Sequence, residues 1–331
     1  MTSALIEFLL GTSVSLVTSW VLVTRLERVG ERFGLSEALL GVLAALAADA
    51  PEITSSVSAL SQHQRTIGAG VVIGSNVFNL AALLGLGALV SGFIALHRKV
   101  VVLGGVVAML VALSCVATVT GLISVVAGLV LAGAVFAVYV AVLGMRRQSV
   151  HRLPISQRWR TWILFAVEEE ELELAEAIRP LRGRPVDFLA TVMALVIVVI
   201  ASVTMERSAV TLGHHFHVAD AVIGAIVLAG VTSLPNAVAA VHLASKGRGA
   251  AALSTALNSN SLNVVVGLLI PGVFVGLARS SLPGSVTTWW YVGLTMVTLV
   301  CAFSTGGLRR WQGGLIITGY VAFVVVLLSI S

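Results

Sequence analysis

Charge is scarce in this 331-residue chain: Asp, Glu, Lys and Arg make up 11% of it, while 58% is hydrophobic. A soluble domain carries roughly 25% charged residues to cover its surface. With a mean hydropathy of +1.03, the sequence describes an integral membrane protein. The ~10-residue alternating segments of a membrane barrel are missing too, and apolar runs of helix-spanning length stand in their place. Cysteine is limited to Cys115 and Cys301, both inside apolar runs without a CxxC or His/Cys spacing, so neither a disulfide nor a zinc site is expected. The first apolar run has no basic leader and no A-x-A-like end, which reads as a retained helix and not a cleaved signal. The acidic run Glu168–Glu176 has no central Gly or Asp/Asn spacing of an EF-hand, so it reads as a solvated, amphipathic cytoplasmic helix, with a regulatory cation sensor as the weaker alternative. The sequence pI is 9.9, but the basic residues flank apolar runs and form no patch for nucleic acid.

What is present is a series of ten apolar spans, near 3–24, 35–60, 67–93, 100–119, 122–145, 185–205, 218–244, 250–276, 286–304 and 313–330. The turn between the fourth and fifth is short, Thr118 to Gly121. Its reality is supported by charge: with ten spans, 17 of the 20 Lys and Arg fall on one face, and only Arg65, Arg207 and Arg279 on the other. By the positive-inside rule the rich face is cytoplasmic and both termini lie outside, in a plasma or inner membrane. The expected fold class is an all-α polytopic membrane protein with ten transmembrane helices as two inverted five-helix repeats: residues 1–145, a cytoplasmic loop 146–184, and residues 185–331. Trp289, Trp290, Tyr291 and Trp311 near span ends suit an interfacial aromatic belt. Lipid and inorganic cations are the expected partners; oligomeric state is not legible.

The halves resemble each other. Phe33-Gly-Leu-Ser-Glu37-Ala-Leu-Leu-Gly41 matches Phe216-His-Val-Ala-Asp220-Ala-Val-Ile-Gly224 at an offset of 183. Asp49-Ala-Pro51-Glu52 matches Ser233-Leu-Pro235-Asn236, and Gly74-Ser75-Asn76-Val77-Phe78-Asn79 matches Asn258-Ser259-Asn260-Ser261-Leu262-Asn263, both at an offset of 184. Because each half has an odd number of spans, the two enter the membrane from opposite faces, a design that places binding sites near the midplane on broken helices. Pro51 and Pro235 lack an N–H and each begins a new half-helix, with Asp49 and Ser233 near its N-cap. A capping box would be the bland purpose of these polar groups. Two carboxylates, Asp49 and Glu52, within one apolar turn repel unless a cation or proton lies between them. Ser75, Asn76 and Asn79 with Ser259, Asn260 and Asn263 supply neutral oxygens, or else act as interhelical glue. Such an oxygen-rich, doubly charged set suits a hard divalent cation such as Ca²⁺; sodium uses the same atoms with less charge.

These motifs resemble the sodium/calcium exchanger family of the calcium/cation antiporters, whose repeats carry G-T-S-L-P-E followed by G-S-N-x-F-N. The likeness is strongest at Gly74–Asn79 and Gly230–Pro235 and covers Phe33 to Gly87 and Phe216 to Pro271. It implies ten helices in two inverted halves, alternating access with helices one and six sliding against the rest, and exchange driven by sodium or protons. It also implies that Glu52, Ser75, Asn79, Thr232, Ser233 and Ser259 line the cation site. The chain departs from the pattern where Ala48-Asp49 replaces Thr-Ser, Asn236 replaces Glu and Asn258 matches Gly74.

The full candidate set is Asp49, Glu52, Ser75, Asn79, Thr232, Ser233, Asn236, Ser259 and Asn263, with no resident cofactor and no catalytic residues. The expected function is a cation antiporter exchanging Ca²⁺ or another divalent ion for Na⁺ or H⁺. A monovalent cation/proton antiporter, an Mn²⁺ transporter and a non-transporting, cation-sensing relative stay open as alternatives. Glu37 and Asp220 read as helix-terminal, His214, His215 and His217 as an exposed outer loop, and His242 as interfacial. An intramembrane hydrolase is disfavoured, since both acids share one helix and no His or Lys lies mid-membrane near Ser75 or Ser259.

Overall fold

The computed structural model describes residues 1–33, 35, 37–144, 156–177, 184–277 and 281–331. The helices are α1 (Thr2–Arg32), α2 (Glu37–Ala48), α3 (Ala50–Ser61), α4 (Arg65–Ser91), α5 (Arg98–Val119), α6 (Val125–Leu143) and α7 (Gln157–Ala177), then α8 (Pro185–His215), α9 (Asp220–Thr232), α10 (Leu234–Ser245), α11 (Gly249–Val275), α12 (Leu282–Thr305) and α13 (Arg310–Ile330). Eight of them are long and apolar enough to cross a membrane, and α2–α3 and α9–α10 add a bent span each, giving ten. The spans pair in order across the halves: α1 with α8, α2–α3 with α9–α10, α4 with α11, α5 with α12, α6 with α13.

The bends are proline effects. α3 bends from α2 by 52° and α10 from α9 by 49°. At both bends the backbone ladder continues through the corner residue: the Asp49 amide donates to Ala45 at 2.8 Å and the Ser233 amide to Ala229 at 3.2 Å. What is missing is the amide that Pro51 and Pro235 lack, so each helix kinks without unwinding. Both corner residues keep helical dihedrals and neither side chain caps its own helix. That removes the capping-box explanation and leaves Asp49 and Ser233 free to point elsewhere.

Two short strands, β1 (Phe93–Ala95) between α4 and α5 and β2 (Gly307–Arg309) between α12 and α13, pair antiparallel with Ile94 opposite Leu308. This pairing puts the third and the ninth inter-span loops on one face, which requires an even number of crossings between them. Six spans, α5 through α12, meet that requirement; joining α5 and α6 into one would break it. The short turn is accordingly a real reversal, with Gly121 at φ +78° and the Ser124 hydroxyl accepting the Ala127 amide at 3.2 Å to cap α6. α7 lies on the same face as β1, since the Lys99 ammonium sits 3.9 Å from the centre of the Phe165 ring.

The antiparallel pair α1/α8 forms a layer of its own beside α2 and α3. Ser15 and Ser202 hydroxyls meet at 2.8 Å mid-pair, Arg25 reaches Asp187 at 2.6 Å at one end, and Ser208 donates to Glu7 at 3.3 Å at the other. Both helices run beyond the expected 3–24 and 185–205, to Arg32 and His215. The charges that ended these spans in the sequence are carried on continuing helix because a distant partner meets them: Arg25 and Arg28 find Asp187, and Glu206 finds Ser58 and Gln62. Tyr291 is not part of an interfacial belt; it is fully buried in the main core, while Trp289 and Trp311 are exposed. Cys115 lies in that core as well. α7 is helical as expected and buries Ala166 and Val167 against the bundle, whereas the side chains from Glu169 onward, Glu37, and Arg146, Arg147, Arg152, Arg179, Arg182 and Arg279 lie outside the described residues.

Candidate functional site

α3 and α10 start at the two kinks and carry Asp49, Glu52, Ser233 and Asn236 to the middle of the molecule. α4 and α11 cross beside them and bring the two Ser-Asn motifs. Glycine allows the close approach on one side: a Cβ at Gly74 would run into the Ala225 backbone, and one at Gly224 into the backbone of Ile67. Each motif ends in a π-helical stretch, Leu80–Gly85 after Asn79 and Asn263–Leu269 from its counterpart. Widened turns of this type re-aim neighbouring side chains and recur at functional sites. Their positions relative to Asn79 and Asn263, the same to within one residue, extend the repeat from sequence into backbone geometry.

The side chains interlock across the halves. Asp49 Oδ1 accepts from Asn236 Nδ2 and from Ser259 Oγ, both at 2.6 Å. Glu52 accepts from Ser233 Oγ on Oε1 and from Asn263 Nδ2 on Oε2, both at 2.5 Å. Asn79 Nδ2 donates to Ser259 Oγ and to Asn260 Oδ1, each at 3.1 Å. All of these residues are fully inaccessible to solvent. Neither carboxylate has an ion-pair partner among the described residues, so two acidic groups in one helical turn are held by neutral donors alone.

The amide nitrogens and hydroxyls tie the cluster together and leave oxygens over. Asp49 Oδ2, Ser75 Oγ, Asn79 Oδ1, Asn236 Oδ1 and Asn263 Oδ1 are buried without a hydrogen-bond partner. Leaving a buried acceptor unsatisfied costs on the order of 1–3 kcal/mol, and five in one place need an explanation beyond packing. No group of three or more His, Cys, Asp or Glu is found among the described residues, so any ion here would rest on two carboxylates and neutral oxygens.

Of the nine sequence candidates, seven enter this network. Ser75 is buried one turn before Asn79 on α4 with its hydroxyl unpaired. Thr232 stands apart: its hydroxyl donates back to Leu228 O at 2.9 Å on its own helix. Asn76 and Asn260, oxygen sources in the sequence, act as a clamp. Each amide donates to the other's backbone carbonyl at 3.1 Å, which locks α4 to α11 on a local two-fold axis. Ser56, absent from the candidate set, donates to Gly68 O at 2.8 Å and Gly267 O at 2.9 Å and fastens α3 to both crossing helices. The repeat offset is the signal that pairs Asn76 with Asn260; Ser56 has no such signal.

Glu206 on α8 was also passed over, because it lies beyond the expected end of its span. His215 and His217 are exposed, as is His242, and Asp220 is engaged by His214.

Comparison with known proteins agrees with this architecture. The sodium/calcium exchanger protein family matches residues 3–145 and 186–329. The sodium/calcium exchanger MaX1 of Methanosarcina acetivorans is 28% identical over 144 residues, which is 44% of this chain and 41% of MaX1, so the aligned stretch is under half of either protein. Among solved structures, the sodium-calcium exchanger NCX_Mj superposes with a TM-score of 0.62 at 22% identity over 98% of both chains. The H⁺/Ca²⁺ exchanger CAX superposes with a TM-score of 0.73 at 11% identity, over 99% of this chain and 85% of the other. The two structural likenesses extend over the ten-span fold, while the family match takes in both halves and their motifs. The chain belongs to the sodium/calcium exchanger family, a family of membrane transporters and not of enzymes.

Proposed function

We propose that this protein exchanges Ca²⁺, or another divalent cation, for Na⁺ or H⁺ by alternating access, with the ion held at the cluster around Asp49 and Glu52. The supporting observation is the pairing of two buried, uncompensated carboxylates with five buried oxygens that lack partners. A hard divalent ion takes six to eight oxygens at about 2.3–2.6 Å, and two negative charges match it. Asp49, Glu52, Ser75, Asn79, Asn236, Ser259 and Asn263 would supply that shell, with Ser233 orienting Glu52. Thr232 belongs to the set only if its hydroxyl turns from Leu228. Without the divalent ion, the same two charges call for sodium ions or protons, and that obligatory replacement is what couples the flows.

Alternating access would be carried by α1/α8 moving against the bundle that holds α2–α4 and α9–α11. The side-chain ties that such a motion would have to break include Ser19 to the carbonyls of Ala47 and Ala48, at only 3.4 and 3.5 Å, and Ser58 to Glu206 at 2.7 Å. The face with 17 of 20 basic residues would be cytoplasmic, both termini outside, and residues 146–184 inside, in a plasma or inner membrane.

The test is flux in proteoliposomes of the full chain, with Ca²⁺, Mn²⁺ and Na⁺ each offered against imposed Na⁺ and H⁺ gradients. Divalent uptake driven by one of these gradients, and lost in Glu52→Gln and Asp49→Asn, is the expected result. Unaltered transport in both variants would remove the site. Sodium–proton exchange without divalent movement would replace the divalent reading, and no flux of any cation would favour a sensor.

A further inference from the structure

Glu206 is a further buried carboxylate that the central cluster does not use. It sits on α8 at 0% exposure, beside an apolar group that includes Ala59, Ile67, Val71, Met205, Ala209 and Ile223. Its Oε2 accepts from Ser58 Oγ at 2.7 Å and Gln62 Nε2 at 3.2 Å. Its Oε1 is buried with no partner. Among the described residues it has no ion pair, and the adjacent Arg207 is exposed. An amide at this position would accept the same two hydrogen bonds without placing a charge in the membrane. A carboxylate here therefore calls for a cation or a proton.

The position points to which one. Ser58 and Gln62 belong to the α3 helix and its C-cap, so the row Glu52, Ser55, Ser58, Gln62 runs along one side of α3 from the central cluster to the face opposite the basic one. Ten residues of helix span ~15 Å. Ser55, between the two carboxylates, is itself buried with an unpaired hydroxyl, and Gln62 at the far end is exposed. A single carboxylate with hydroxyl and amide neighbours matches a hard cation of charge one; a divalent ion would be left half-neutralised.

We propose that Glu206, with Ser58, Ser55 and Gln62, forms an accessory station for a sodium-sized monovalent cation on the non-basic approach to the central cluster; that it lies on a transport route rests on the function proposed above. Because Glu206 rides on α8 and its ligands on α3, an ion there would bridge the mobile pair and the bundle.

The test uses the full chain with sodium as the probe. In an Asp49→Asn/Glu52→Gln background, sodium-dependent broadening of the ²³Na resonance and sodium-dependent thermal stabilisation should persist, and adding Glu206→Gln should abolish both. In proteoliposomes, Glu206→Gln alone should raise half-saturating sodium at the non-basic face about tenfold and leave half-saturating divalent ion unchanged, with Glu206→Asp intermediate. Ser58→Ala should shift sodium in the same direction and gives the same readout should the Glu206 variants fail to fold. A sodium response that survives Glu206→Gln in the double background overturns the station. Equal shifts for sodium and divalent ion, or a shift in pH dependence alone, overturn it as well, the former marking a structural latch. A parent without divalent flux but with a Glu206-dependent sodium signal would sink the central reading and leave this one standing.

Discussion

The two repeats are built alike and charged differently. Both kink at a proline, both cross a helix with a Ser-Asn motif, and both widen into a π-helical stretch at the final Asn. Yet the first carries Asp49 and Glu52 where the second carries Ser233 and Asn236. The bonds to the carboxylates follow from that inequality: Asp49 and Glu52 accept from the neutral half, Asn236 and Ser259 to Asp49, Ser233 and Asn263 to Glu52, while Asn76 and Asn79 donate in the other direction. Symmetry of shape is thereby combined with a one-sided charge, and each half completes what the other lacks. The close approach is one-sided too: Gly74 admits the Ala225 backbone, while its counterpart Asn258 turns its amide to Ser254 at 3.0 Å.

Removing the charge should break this comparison most strongly. Glu52→Gln is expected to lower divalent binding at least ~100-fold, the scale of losing one partner of a buried ionic interaction, read by calorimetry or radioisotope uptake. Asn236→Glu alone puts a third acid in the cluster and should slow turnover while tightening divalent binding, a split visible in flux against equilibrium binding. Asp49→Ser with Asn236→Glu moves one charge to the second repeat at constant count and should recover binding relative to Asp49→Ser alone; no recovery would mean that the acids must share a helix. Ser259→Ala removes a hydrogen bond to a carboxylate, worth about 1.5–3 kcal/mol, and should weaken binding ~10-fold or more. Thr232→Val should change affinity no more than ~2-fold, because its hydroxyl is engaged with Leu228 O on its own helix; the lost bond, about 0.5–1.5 kcal/mol net, should fall on stability instead.

Much of the fold was legible because hydrophobic length and proline are local signals. Ten spans, their pairing and both kinks follow from apolar runs, an offset of 184 and the missing amides of Pro51 and Pro235. What was not legible depends on atoms far apart in the chain. Arg25 ended the first span until Asp187, 162 residues on, is seen to meet it. Asn76 and Asn260 have the same composition as the ion-site candidates, and only geometry shows their amides taken up by backbone carbonyls. Tyr291 follows two tryptophans that suit an interface, but one more residue turns it around the helix into the core. Thr232 entered the candidate set through the family resemblance, whereas a helical threonine commonly gives its hydroxyl to the carbonyl one turn back, here Leu228 O.

The β1–β2 pairing has a mechanical consequence. Its strands come from loops of opposite repeats, Gly307 packs so tightly on Ile94 O that a Cβ has no room, and the two strands bind α4–α5 to α12–α13 at the basic end. A clasp at one end makes the bundle a stator: it resists splaying there, so a hinge opening symmetrically at both faces is mechanically unequal. In the mechanism proposed above, the unclasped α1/α8 layer would then be the rotor, and a six-residue ribbon away from the carboxylate cluster would hold the stator together.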